Sequence, residues 1–177
     1  MAEKLPFKNN SFDLIVSNNG INNVQDIRQT LSECFRVSNT GAQFLTTMNL
    51  ENSIIEFYNV FEETLIENNL KEEVGKMKAH IYSKRKPIDE MKSLIENSGF
   101  NIKNITKDNF SLRFLNALTM FNHTLIKYWF LGSWKDILKP ENLEKIFKLV
   151  EVKLDKIAKQ NGEIKLTIPY VLIDCKS

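Results

Sequence analysis

Leu5–Asn19 reads LPFKNNSFDLIVSNN, and its centre, Phe12-Asp13-Leu14-Ile15-Val16, decides the fold class. This run is apolar but for one aspartate, with the turn formers Lys8-Asn9-Asn10-Ser11 before it and Asn18-Asn19-Gly20 after it. Strand length, turn residues on both sides and little alternation predict a strand covered on both faces, as in a parallel sheet. Parallel strands are joined by crossovers that are usually helical. Only four residues precede the stretch, too few for a strand or helix upstream of it.

Downstream the expected crossover is present. Asn22 or Asn23 is positioned to cap a helix carrying Val24, Ile27, Leu31, Cys34 and Phe35 at helical spacing. Ser38-Asn39-Thr40-Gly41 stops it, with Gly41 suited to a left-handed C-terminal position, and Ala42–Met48 (AQFLTTM) is a second strand. Residues 12–48 therefore read as one βαβ unit with a parallel strand pair. A helix over Asn52–Asn69 follows, with Ile54, Phe57, Tyr58, Phe61 and Leu65 on one face. LKEEVGKMKAHIYSKRK is charged and weakly periodic, which predicts a mobile connection or a short helix. Pro87 suits a first helical position before Ile88, Met91, Leu94 and Ile95, and Ser98-Gly99 is the stop. Residues 100–114 alternate as one or two strands, with Phe110, Leu112 and Phe114 opposite Ser111 and Arg113. Leu115–Trp134 is predicted as a single apolar helix, and Pro140 opens a long one stopped by Asn161-Gly162. The last strand, EIKLTIPYVLIDC, changes character at Pro169, which has no N–H to give a ladder and so predicts a bulge or an unpaired position.

Composition narrows the function classes. The 177 residues are 26% charged and 10% aromatic with a net charge of +2, as in an ordinary globular domain. Lysines and acidic residues are interspersed; with only Lys84-Arg85-Lys86 as a basic cluster, no nucleic-acid partner is expected. The uncharged run Tyr128–Trp134 is far too short to span a bilayer, and the first residues lack a signal-peptide pattern, so no membrane partner is expected. Two cysteines, Cys34 and Cys175, fit reduced, buried thiols and a cytoplasmic location. No two of the six glycines lie within twenty residues of each other, so the chain holds no G-x-G-x-x-G turn and no P-loop. His80 and His123 lack any partner at metal-ligand spacing, and no metal is expected.

The segment AEKLPFKNNSFDLIVSNNGINNVQDIRQTLSECFRVSNTGAQFLTTM resembles the second half of the class I S-adenosylmethionine-dependent methyltransferase core. The resemblance rests on Leu5-Pro6-Phe7, on Ser11-Phe12-Asp13-Leu14-Ile15-Val16-Ser17-Asn18, and on Glu33-x-x-Arg36-Val37 before a glycine turn, in the family's order and spacing. Asn39-Thr40-Gly41 departs from the more usual Pro-Gly-Gly. NGEIKLTIPYVLIDCK resembles the family's final antiparallel strand, whereas residues 50–98 are generic. The resemblance implies a partial, doubly wound, Rossmann-like α/β fold with a helical lid insertion. Residues 12–17, 42–48, 100–114 and 164–174 would be strands four to seven of a seven-stranded sheet. It also implies one truncated domain, 1–177, beginning after the third strand, with a βαβ core at 1–50, a helical cover at 51–98 and terminal strands and helices at 99–177. The glycine-rich turn and the ribose-binding acid would belong to the half before it.

The same resemblance assigns candidate roles. Ala2 and Glu3 would edge the adenine of S-adenosylmethionine, with Met1 where the family usually has an aspartate. Ser17, Asn18, Asn19, Gly20, Asn22 and Asn23 would meet its methionine part at the carboxyl end of the first strand. Asparagines after a strand equally form turns and cap the next helix, and the two readings stand side by side. The family often has an aromatic or histidine near Asn22 and Asn23, so a stacking contact is weakened here. His123 is a candidate general base, and Tyr58, Tyr128 and Trp129 are candidate acceptor contacts, although helical spacing fits core positions as well. The expected function is methyl transfer from S-adenosylmethionine to a small molecule, with residues 1–177 inactive alone. The alternative is a non-catalytic association module, a homodimer or larger homo-oligomer built on the exposed edge of the first strand.

Overall fold

A computed structural model describes residues 2–177, and Met1, assigned above to the adenine edge, lies outside the described residues. Four strands form one sheet in the order β1-β2-β4-β3, with β1 at Phe12–Asn18, β2 at Ser38–Asn49, β3 at Asn101–Phe114 and β4 at Ile164–Lys176. The described residues divide into two compact units. One comprises the chain up to Ser53 with Tyr82–Asn109 and Pro169–Ser177; the other comprises Ile54–Ile81 and Phe110–Ile168.

The first unit is built on the predicted βαβ. β1 and β2 are parallel, with Ile15 opposite Phe44 and Asn18 opposite Thr47. Between Phe12, opposite Ser38, and Leu14, opposite Gln43, β2 carries surplus residues that bulge out. Gly41 sits in this bulge at φ +76°. It is therefore a bulge glycine inside β2 and not the helix stop, because β2 begins at Ser38, directly after the helix. Helix α1, Ile27–Val37, is capped by Asp26, whose Oδ1 accepts the Gln29 N–H at 3.0 Å. Asn22 and Asn23, expected to cap it, lie instead in a short 3-10 turn over Ile21–Asn23. Aspartate wins because Val24 is extended, which ends the turn and delays the helix by one more cap-competent residue.

β4 runs antiparallel to β2, with Phe44 opposite Cys175, Thr46 opposite Ile173 and Met48 opposite Val171. Helix α4, Ile88–Asn97, supplies Met91, Leu94 and Ile95 to a core that also takes Leu31, Phe44, Met48, Phe100, Val171 and Ile173. Pro87 is its N-cap and not its first helical residue. Phe44 stacks on Phe100 at 4.8 Å, and Phe35 meets Phe100 edge-on at 5.2 Å. β1 is the end strand of the sheet, and here the expectation of two covered faces fails: Leu14 is 53% and Val16 62% exposed, while Ile15 packs against the core.

The second unit is helical apart from strand ends. Helix α2, Ile55–Glu67, and helix α7, Pro140–Asn161, pack against each other. α7 begins with proline in its first turn, buries Ile146, Val150, Leu154 and Ala158 one turn apart, and stops at Gly162, φ +81°. Phe57 stacks on Trp134 at 3.8 Å, and the Trp134 Nε1–H donates to the Tyr58 hydroxyl at 3.2 Å, all three side chains being buried. The segment read as a mobile connection or a short helix is a helix, α3, Lys71–Lys84 (14 residues). Its stripe is narrow, with Met77 buried and Val74 and Ile81 packed beside it, which is why periodicity hides it. Its charges are matched by Glu72–Lys76 at 2.7 Å and Glu62–Lys78 at 2.8 Å.

The single helix expected over Leu115–Trp134 is three pieces: α5 at Ala117–Asn122, a π-helical turn at Ile126–Phe130, and α6 at Leu131–Lys135. The break falls at His123, which is extended (ψ 133°). Asn122 turns its side-chain amide back onto the Leu118 carbonyl at 3.0 Å, the local competition that makes asparagine a weak helix former. Along β4 the buried positions change parity at Pro169: Ile164, Leu166 and Ile168 before it, Val171, Ile173 and Cys175 after it. Pairing with β2 starts only at Tyr170, so Pro169 stands outside that ladder, as its missing N–H predicts.

Candidate functional site

The parallel pair β1 and β2 ends at Asn18 and Asn49, and the turn after β1 is tightly tied to β2. Thr47 is the tether. Its Oγ1 donates to Asn18 Oδ1 at 2.7 Å and accepts the Asn19 N–H at 3.0 Å, while its carbonyl oxygen lies 3.1 Å from the same N–H. Asn19 is held at φ +51°, a conformation asparagine tolerates better than most residues. The Asn23 side-chain amide then donates to the Asn19 carbonyl at 3.0 Å, closing Ser17–Asn23 into one compact turn. A Cβ on Gly20 would lie 2.9 Å from Ser17 Oγ, so the glycine lets the turn fold over that hydroxyl.

Two amide oxygens at these strand ends stand out. Asn19 Oδ1 and Asn49 Oδ1 are both shielded from solvent and accept no hydrogen bond. A shielded oxygen without a donor costs about 1–3 kcal/mol, so it is retained where something supplies the donor. Asn19 belongs to the residues singled out in the sequence. Asn49 does not: it follows a strand without any turn signature, and only the strand pairing places it beside the site.

The start of the chain is pinned to the same unit. Glu3 Oε1 accepts the backbone N–H of Gln25 at 2.9 Å, and the Gln29 side chain donates to the Glu3 carbonyl at 3.3 Å. Hydrogen bonds from its own backbone N–H and from that of Gln25 hold the Glu3 carboxyl below the usual range. Ala2 is half-buried next to it. Glu33 and Arg36 clamp the LPF segment. Arg36 Nε and Nη2 donate to the two Glu33 oxygens at 2.6 and 2.8 Å, Arg36 Nη1 donates to the Phe7 carbonyl and Asn9 Oδ1, and Glu33 Oε2 accepts the Leu5 N–H. The Arg36 hydrogen bond first, and the Leu5 N–H second, bring the Glu33 carboxyl down to about 2. The paired motifs are thus one structural device: the Glu-x-x-Arg pair exists to fix the chain that leads into β1.

The other four candidates lie in the helical unit. Tyr58 is a core residue whose hydroxyl is taken by Trp134. His123 sits at the exposed break after α5 with its ring edge-on to Phe114 at 5.3 Å. Tyr128 and Trp129 are 73% and 72% exposed. A shallow cleft of about 350 Å³ in this unit is lined by Phe121, Leu131, Leu143 and Phe147 with Lys135 and Glu144, and by none of these four. Among the described residues no three His, Cys, Asp or Glu side chains cluster as metal ligands would.

Residues 1–46 match a protein family described as a methyltransferase domain. The ubiquinone/menaquinone biosynthesis C-methyltransferase UbiE of Rickettsia bellii is 32% identical over 116 residues, which cover 59% of this chain and 47% of that protein. The chain thus spans about half the length of this relative. A SAM-dependent methyltransferase of Methanosarcina mazei superposes with a TM-score of 0.54 at 13% identity, over 100% of this chain and 64% of its own. The (4+2)-cyclase SpnF does so with a TM-score of 0.50 at 10% identity, over 100% of this chain and 54% of its own. These two likenesses are likenesses of fold. A cyclase among them makes plain that the fold alone does not fix the reaction.

Proposed function

We propose that this chain, related by family match and by fold to the class I S-adenosylmethionine-dependent methyltransferases, serves methyl transfer from S-adenosylmethionine to a small molecule. The carrying observation is the pair of shielded, donorless oxygens, Asn19 Oδ1 and Asn49 Oδ1, at the carboxyl ends of the parallel strands. An amino acid's ammonium group is a three-fold donor, so these oxygens fit the methionine part of the cofactor. Ser17, Asn18, Gly20, Asn22 and Asn23 would shape that subsite, and Ala2 and Glu3 would edge the adenine. The cofactor supplies an activated methyl group; the residues here contribute position, holding the donor against the acceptor in line. A carbon acceptor is favoured over oxygen or nitrogen by the likeness to the C-methyltransferase of Rickettsia bellii. His123, Tyr128 and Trp129 stay as acceptor-side candidates because they are exposed; Tyr58 is the weakest of the four because its hydroxyl is already engaged.

Residues 1–177 contain no glycine-rich turn, and by themselves they would bind the cofactor weakly and not turn over. Calorimetric titration with S-adenosylhomocysteine, alongside a labelled-methyl transfer assay, tests this. Heat at micromolar ligand, or sustained transfer, would overturn the inactivity of the 177-residue chain while strengthening the methyltransferase reading.

A second reading is favoured by β1. As the end strand of the sheet, with Leu14 and Val16 exposed, it is a template for strand pairing, and a two-fold homodimer joining two such edges would cover it. Light scattering on the purified chain decides this reading: a dimer abolished by Val16→Lys supports it, and a monodisperse monomer removes it.

A further inference from the structure

We infer that the segment from Leu115 to Trp129 is a docking surface for an anionic lipid bilayer. Its inner side is core: Ala117, Met120 and Ile126 are buried. Its outer side is apolar too, with Leu115 72%, Leu118 62%, Leu125 37%, Tyr128 73% and Trp129 72% exposed. Leu118 stands on α5 with Leu115 just ahead of its cap, and Leu125, Tyr128 and Trp129 fall within one turn of the helical stretch after the break at His123. Five such side chains exceed the scattered exposed apolar residues of a soluble surface, and tryptophan with tyrosine is the pair that settles at the headgroup level of a membrane.

Charge selects the occupant. Between Asp108 and Asp136 the sequence contains no Asp or Glu, its longest interval without one. Lys127 stands within the exposed apolar group, its ammonium 5.7 Å from the Tyr128 ring centroid. Acidic groups reach the segment from α7, where the Asp155 carboxylate is taken by the Ala117 N–H and Glu144 and Glu151 line the cleft that holds Lys135. Arg113 is paired with Glu163. The uncompensated cation among the aromatics is therefore Lys127. No described helix is long and apolar enough to cross a membrane, but lying on one requires only an apolar face with cations beside it.

Vesicles of phosphatidylcholine with phosphatidylglycerol, compared with phosphatidylcholine alone, test the surface by cosedimentation and tryptophan emission. Trp134 is already buried, so a blue shift on binding reports Trp129. The 177-residue chain should sediment with the anionic vesicles and shift its emission. Trp129→Ser should lower partitioning at least tenfold with the far-UV circular dichroism unchanged, and Lys127→Gln should lower it about fivefold. Should Trp129→Ser disturb the fold, Tyr128→Ser replaces it, since that side chain is equally exposed. No binding to anionic vesicles, binding indifferent to these variants, or a stable dimer that Trp129→Ser dissociates without any vesicle binding would each overturn the inference.

Discussion

Gly99 offers the sharpest test of how the first unit is packed. It follows α4 at φ +106°, and a Cβ built there would lie 2.7 to 3.0 Å from three atoms of the Phe35 ring, which belongs to α1. Alanine at this position faces two penalties. Holding a side chain at positive φ costs about 1–2 kcal/mol, and forcing it into an occupied space costs about 1–3 kcal/mol more. Gly99→Ala should thus lose about 2–5 kcal/mol of stability, read from urea unfolding by linear extrapolation. Phe35→Ala separates the two terms. Without the ring the contact penalty vanishes, and Gly99→Ala should then cost only the backbone part, about 1–2 kcal/mol. Equal costs with and without the Phe35 ring would refute the close approach of α1 to the Gly99 turn. A cost below about 0.5 kcal/mol in the parent would refute the backbone requirement as well.

Further outcomes are open to simple measurement. Tyr58→Phe leaves the buried Trp134 Nε1–H without its acceptor and should cost about 1–3 kcal/mol in the same unfolding assay; a neutral result would mean the indole finds another partner. The Glu33 carboxyl is lowered from 4.5 to about 2, so its contribution is full above pH 4.5 and is lost as the pH falls towards 2. The protection factor of the Leu5 amide, with the intrinsic pH dependence of exchange divided out, should fall across that window in the parent and be already low in Glu33→Gln. Burial pushes the Cys34 thiol up to about 11 and the Cys175 thiol up to about 12. Neither should react with an aromatic disulfide reagent at pH 8 until urea is added.

The βαβ was legible because β1 and β2 carry apolar runs bounded by turn residues and α1 repeats at helical spacing. Pro169 was legible for a covalent reason, the absent N–H, and the ladder with β2 stops just short of it. What local pattern hides is set by partners distant in the chain. That β1 ends the sheet was expected from the resemblance, but the exposure of Leu14 and Val16 depends on what covers its face, which the composition of the strand does not encode. The α3 helix draws on Glu62 for one of its ion pairs, and the break at His123 depends on an asparagine choosing a carbonyl over the solvent. At the candidate site, Asn19 was visible as a turn former and Asn49 was not, because only the pairing of strands brings the end of β2 next to the end of β1.

Amide-resolved NMR titration of the 177-residue chain with S-adenosylhomocysteine, carried into the millimolar range, bears most directly on the proposed site. Shift changes confined to Ser17–Asn23, Asn49 and the Glu3 region, saturating only above micromolar ligand, are the expected result. Shifts elsewhere, or none at all at saturating concentrations of ligand, would contradict a cofactor subsite at the carboxyl ends of β1 and β2.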